Sequence, residues 1–252
     1  MDEQLYKAAT EGMNLPHDVI QLPSQGIFYK NKKKSVKVGY LTATDENLII
    51  SQVQNNPNDV VLSLIRNKLY EPELKVEELL EGDVQAILIF LRNTSFGSDY
   101  TMTLIDPKTS KPFNVDVILD QLKIKQLEIQ PDINGHYVTT LPKTGDVVKL
   151  KLLSYHENIE VNESFSNYPV GRIAPVITTK LLKQIVSIND NEDKNHISQY
   201  ITLMPIADSK FIRNFLNQNQ PGLDLKQSFK APSGEIVETE INFGVEFFRP
   251  FF

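Results

Sequence analysis

His156, Glu157, Glu160 and Glu163 are the nearest thing in this sequence to a chemical constellation. On a helix, positions 156, 160 and 163 share one face, where an imidazole and two carboxylates could hold a hard cation. The second histidine of a His-Glu-x-x-His metalloprotease motif is missing, so the plainer reading is a solvated acidic helix face. The other histidines, His17, His136 and His196, are scattered. The absence of cysteine excludes disulfides, thiolate zinc sites, iron–sulfur clusters and a cysteine nucleophile. The sequence contains no phosphate-binding glycine loop, no dinucleotide fingerprint and no nucleophile elbow. Carboxylates are plentiful, but no spacing marks a paired acid and base. The chain reads as a non-enzyme without a cofactor, and a metal-dependent hydrolase using His156 is the remote alternative.

Binding chemistry is better represented. Phe243, Phe247, Phe248, Phe251 and Phe252 crowd the last ten residues, with Pro250 among them. So many rings do not stay in water. They fold back on the chain's own core, or they anchor in pockets of a partner. Lys30, Lys32, Lys33, Lys34 and Lys37 form a basic run, and Glu71, Glu73, Glu77, Glu78, Glu81 and Asp83 an acidic one. Each is expected to be a solvated surface, although their opposite signs permit contact with a neighbour or between copies. No aromatics interleave with the lysines as single-strand binding requires. The formal net charge of −6 also speaks against nucleic acid as a partner.

These groups need a scaffold, and the 252 residues, 40% of them hydrophobic, suffice for a sizeable core. The most apolar run, Val84–Leu91, is far shorter than the ~20 residues of a membrane span. The acidic N-terminus lacks the apolar core of a secretory signal, so a soluble intracellular chain is expected. Residues 1–20 read as a loosely held arm. Residues 21–98 read as a turn at Leu22–Gly26, a β-hairpin over 27–40 and helices. The helices begin near Asp45 and after Asn58-Asp59, then over Leu74–Leu80 and Val84–Asn93. Residues 99–154 alternate with period two and form a β-rich middle segment. Residues 155–252 hold helices near 155–166, 175–188, 193–204 and 206–219, a hairpin over Leu225–Phe243 and the Phe-rich tail.

One internal echo stands out. Phe90-Leu91, Gly97, Asp99 and Pro107 reappear as Phe215-Leu216, Gly222, Asp224 and Pro232, all at one constant offset. In each copy a helix runs into a Gly-x-Asp corner, followed by a hairpin. The expected fold is therefore α+β, with two related helix-plus-β-hairpin units around a β-rich middle segment.

The motifs also carry a resemblance. Leu22-Pro23-Ser24-x-Gly26-x-x-Tyr29, a basic hairpin and Leu41-Thr42-x-x-Asp45-Glu46 resemble the opening of the T-even phage baseplate proteins, the hub assembly proteins of contractile-tailed bacteriophages. Phe96-Gly97-Ser98-x-Tyr100 and Phe243-Gly244-x-x-Phe247-Phe248-x-Pro250 are similar to that family's middle and end. The resemblance implies a structural or assembly role in the baseplate hub without enzymatic turnover. Partners would be other phage baseplate or tail proteins. The chain would work in the host cytoplasm during assembly and in the virion tail baseplate. A transient chaperone for the tape-measure protein is the alternative. Pro23, Gly26, Tyr29, Phe247, Phe248, Pro250, Phe251 and Phe252 are the expected partner-binding residues. Related proteins often carry Cys-x-x-Cys-like pairs at their hairpins. Here those places read Ile105-Asp106-Pro107-Lys108 and Lys230-Ala231-Pro232-Ser233, so zinc is not expected and packing must hold the corners.

Overall fold

Val36 and Val38 alternate with polar neighbours and turn into the core, forming β2 (Ser35–Gly39). Its antiparallel partner is β1 (His17–Gln21), in the register Val19↔Lys37. The computed structural model describes residues 16–51, 57–166, 168–169, 171–241 and 245–248. The first hairpin thus differs from the expected one, since its outer strand lies where a loose arm was predicted. Ile27–Tyr29 is not a strand. Successive turns (Gln25 N–H to Leu22 O, Ile27 N–H to Ser24 O, Tyr29 N–H to Gly26 O) wind it into a corner.

Helix α1 (Ala43–Ser51) starts where Asp45 reaches back to accept from Thr42 N (2.7 Å) and Oγ1 (2.6 Å). Helix α2 (Pro57–Lys68) follows, with proline opening its first turn. The Lys68 ammonium at its end lies 2.5 Å from the Asp45 carboxylate, and both side chains are essentially sealed from water. Only a single 3-10 turn, Val76–Glu78, forms where a helix over 74–80 was expected. Leu74, Val76, Leu79 and Leu80 are all buried, and that spacing fits no single helical face. Helix α3 (Glu81–Phe96) is the expected apolar one and buries Val84, Ile87, Leu88 and Leu91. It stops at Gly97, whose φ of +84° is a left-handed conformation that favours glycine.

Strands β3 (Asp99–Ile105) and β4 (Pro112–Ile118) form a hairpin with one half-buried and one exposed face. The connection after it is long and irregular. It is tied down by Lys125 N–H to Gly222 O (2.9 Å) and Asp224 N–H to Lys123 O (2.7 Å). Strands β5 (His136–Thr140), β6 (Val147–Lys151) and β7 (Ile185–Ile188) make an antiparallel sheet in that order. Strand β7 was read as helix. The β-branched run Ile-Val-Ser-Ile instead pairs with β6 once α5 (Val176–Gln184) ends.

Helix α4 (Tyr155–Glu163) opens with a complete Ser154/Glu157 capping box. Helices α6 (Lys194–Leu203) and α7 (Ile206–Gln218) and the hairpin β8 (Lys226–Lys230)–β9 (Ile236–Glu240) complete the main elements, and a 3-10 turn, Val245–Phe248, follows. The fold is α+β.

Buried apolar residues form two clusters. The first joins the N-terminal hairpin, α1–α3, Val117, Ile159, Leu223, Ile241, Phe247 and Phe248. The second joins the three-stranded sheet to α5–α7. Phe28 and Leu152 touch both. The clusters cross the segment boundary expected at 154/155: α4 packs with the first, α5–α7 with the second, and the chain then returns to the first.

Candidate functional site

The Pro23–Tyr29 corner is built by one glycine and one buried carboxylate. Gly26 has φ +70°, and a Cβ there would sit 2.5 Å from the Lys33 carbonyl oxygen. No other residue fits without moving the backbone. Asp83, in the first turn of α3, is fully buried beneath the corner. Its Oδ1 accepts from Ser24 N (2.9 Å) and its Oδ2 from the Tyr29 hydroxyl, which itself accepts from Leu80 N (3.0 Å). Burial raises Asp83 above the ordinary carboxylate range, although the Ser24 and Tyr29 hydrogen bonds oppose this. Tyr29 is raised well above the usual phenol value, first by burial and then by Asp83. Pro23, Gly26 and Tyr29 are all buried. These three residues, expected to present a surface to a partner, brace α3 and expose little to solvent.

Phe247 and Phe248 are buried as well. They are 1% and 4% exposed, sealed into the first core. Of the two roles expected for the tail, these rings self-dock. Phe247 packs edge-on to Tyr100 at 5.3 Å, and its carbonyl accepts from Arg92 Nε (3.2 Å). Arg92 also donates to the carbonyls of Gly97 and Asp99 and lies over the Tyr100 ring at 5.1 Å. One buried guanidinium thus fastens the end of α3, the start of β3 and the 3-10 turn together. Residues 1–15, Phe243, Pro250, Phe251 and Phe252 lie outside the described residues.

The charged runs meet each other. Lys33 pairs with Glu71 at 2.5 Å, and Arg66 with Glu77 at 2.6 Å. Glu71 also accepts from Lys37 N, and Lys32 donates to the Ile27 and Ile133 carbonyls. Much of the complementarity that the sequence offered to a neighbour is used within the chain, while Lys30, Lys34 and Lys37 stay exposed. His156 and Glu160 do meet (3.3 Å), but Lys183 takes the other Glu160 oxygen (3.0 Å). Among the described residues no group of three His, Asp or Glu is placed to hold a metal ion.

Two features escaped sequence reading. The tips of the two hairpins are pinned together: Asp106 accepts from Ser233 N (3.0 Å) and Oγ (2.8 Å) while capping its own turn at Lys108 and Thr109. These are the two places where thiolates were not found, and hydrogen bonds hold them. The Asp-Pro-Lys-Thr sequence signals the local turn, but nothing in it names Ser233. The second feature is Asp208 in α7. It is buried and accepts from Lys143 N (2.8 Å) and Thr144 N (3.1 Å), which locks the β5–β6 turn onto the helix.

Comparison with known proteins decides the family. The model of the T4 bacteriophage base plate protein family matches residues 24–249, nearly the whole chain. The chain belongs to that baseplate family. No curated protein and no solved structure gives a significant match. The match begins at Ser24, inside the braced corner, and ends just beyond the buried Phe247-Phe248 pair. In this baseplate protein the Pro23–Tyr29 corner and the Phe247-Phe248 pair, both parts of the motifs that carried the resemblance, are elements of the fold. Membership of the family implies contacts with other phage proteins. No described helix is long and apolar enough to cross a membrane.

Proposed function

We propose that this baseplate protein is a structural subunit of the hub, built into the growing tail in the host cytoplasm and retained in the virion. Family membership over residues 24–249 carries the reading. The surface chemistry supports it. Leu203 and Ile206, on either side of the α6–α7 corner, are 85% and 84% exposed. The corner itself is rigid, with Ile201 and Ile212 buried beneath it. An apolar pair held out on a fixed turn suits docking against a neighbouring protein.

The experiment has two arms. Mass spectrometry of purified tails reports whether the chain is retained. Reconstitution of the hub with a Leu203→Ser/Ile206→Ser variant reports whether this corner makes contacts. The reading expects the chain in finished particles and reduced co-assembly of a variant that still folds. Its absence from particles would favour the transient tape-measure chaperone, and unaltered co-assembly would remove the corner from the interface.

A further inference from the structure

We propose that the cleft between α5 and α7 is a binding site for an acidic, extended peptide segment of another baseplate protein. The cleft has a volume of about 430 Å³ and is walled by Lys180 and Gln184 from α5 and by Arg213 and Asn217 from α7, with Glu81 and Asn158 also in its lining. Positions 180 and 184 are four apart on one helix, as are 213 and 217 on the other, so each helix presents a polar stripe along the groove.

Three observations define what fits. First, Lys180 and Arg213 are half-buried, and among the described residues neither has an acidic partner. Arg213 spends only its Nε, on the Ser209 carbonyl (3.3 Å). Lys183, one turn away, is by contrast paired with Glu160. Partly desolvated cations without a counter-ion favour an incoming carboxylate. Second, the Gln184 Oε1 is cut off from solvent and has no donor. A buried acceptor in this state is one hydrogen bond short, and rotation of the Gln184 side chain into the groove would let a peptide N–H supply it. Third, Val176 and Ile177 also line the groove, with Ile177 about half exposed. They offer an apolar contact between the polar positions, which matches an alternating acidic and apolar strand. Glu81, with Gln220 Nε2 3.5 Å from it, opposes an anion beside it, so the carboxylates belong beside Lys180 and Arg213.

The proposal concerns one surface and rests on the family only for the source of the segment. Its test needs no baseplate component. Fluorescence anisotropy of the full chain is measured with a fluorescein-labelled acetyl-Gly-Glu-Leu-Glu-Gly-amide probe and with its glutamine counterpart, at about 50 mM and about 500 mM NaCl. The acidic probe is expected to bind, at least roughly tenfold tighter than the neutral one, and to weaken with salt. Lys180→Gln/Arg213→Gln, whose thermal melt should match the parent, loses roughly tenfold, and Lys226→Gln on β8 is unchanged. Absence of binding, equal binding of the neutral probe, or an unaffected double variant would overturn the proposal. So would light scattering that shows self-association abolished by the same double variant, because the cleft would then hold a second copy. None of these failures touches the reading of the chain as a hub subunit.

Discussion

Tyr29→Phe removes one oxygen atom, and the structure says what that atom does. The hydroxyl is buried, donates to the fully buried Asp83 and accepts from Leu80 N. Without it Asp83 keeps its Ser24 N–H donor, while the Leu80 N–H at the start of α3 loses its acceptor. A hydrogen bond to a charged group is worth about 1.5–3 kcal/mol, and an orphaned buried N–H costs about 1–3 kcal/mol. The two together give roughly 3–5 kcal/mol. For a chain of this length that corresponds to a fall in Tm of about 10 °C. The chain has no tryptophan, so far-UV circular dichroism or calorimetry is the suitable readout.

The pH dependence sharpens the test. Asp83 is held above its ordinary value by burial. Its contribution is therefore complete below the unfolded carboxylate pKa and is lost as pH rises through the folded one. Loss of the Tyr29 donor raises Asp83 further, so the defect of Tyr29→Phe should be smaller in acid than at neutrality. Asp83→Asn removes the charge, and the double variant should cost less than the sum of the singles. A Tm within about 2 °C of the parent at neutral pH, or strict additivity, would refute the account of the corner.

Other perturbations follow from the same geometry. Lys68→Ala strands the buried Asp45 carboxylate and should cost about 3–5 kcal/mol by urea denaturation, with Asp45→Leu/Lys68→Met recovering most of it. In Gly82→Ala the new Cβ falls 2.2 Å from the Pro221 carbonyl oxygen and 2.4 Å from the Gly222 Cα. Both are backbone atoms, so a loss of at least about 1–3 kcal/mol is expected in the melt. Ser233→Ala removes one of the two hydrogen bonds between the tips, the hydroxyl one, and keeps the backbone one; it should speed hydrogen exchange in both hairpin tips while leaving α3 protected. Burial would raise Asp106, but the Ser233, Lys108 and Thr109 hydrogen bonds outweigh it and hold the carboxyl below its usual range. The clasp is therefore present above the ordinary carboxylate pKa and lost as pH falls through the folded one. A tip-to-tip distance probe on paired labels should report that opening in acid.

What was legible in the sequence is what local chemistry encodes. Alternation in Tyr100–Leu104 and Phe113–Val117 marked the β3–β4 hairpin, and the apolar run of α3, the capping threonines before α1 and the helical pattern of α4 marked helices. Three local readings failed because position outweighed propensity. Tyr29 looked like a strand residue but is drawn under α3 by Asp83. Ile185–Ile188 continued a helical pattern but lies beside β6. Leu74–Leu80 has helical composition but buries residues on several sides. The burial of Pro23, Gly26, Tyr29, Phe247 and Phe248 was illegible for a related reason. Phenylalanine, proline and glycine in a corner mean the same in sequence whether the corner faces a neighbour or the core. Lys180, Arg213 and Gln184 gave no signal, because a charge without a partner becomes visible only when every possible partner has a place.

The repeated spacing of Gly97/Gly222, Asp99/Asp224 and Pro107/Pro232 shows how far such reasoning reaches. Both copies are a helix followed by a hairpin, yet the two glycines do different work. Gly97 is needed for its positive φ. Gly222 has no such angle; a Cβ built on it would lie 3.5 Å from the Gly82 Cα, where helix and chain meet backbone to backbone. The two units are then joined at both ends, by that close contact and by the Asp106–Ser233 clasp. A two-stranded hairpin is marginal in isolation. Two of them fixed at tip and base, with Arg92 and Phe247 fastening the first to the core, make a stiff surface that loses little conformational entropy when a neighbour docks. If rigidity is what the arrangement supplies, Ser233→Ala should weaken co-assembly, and equal co-assembly by a variant with loosened tips would show that the clasp serves stability alone.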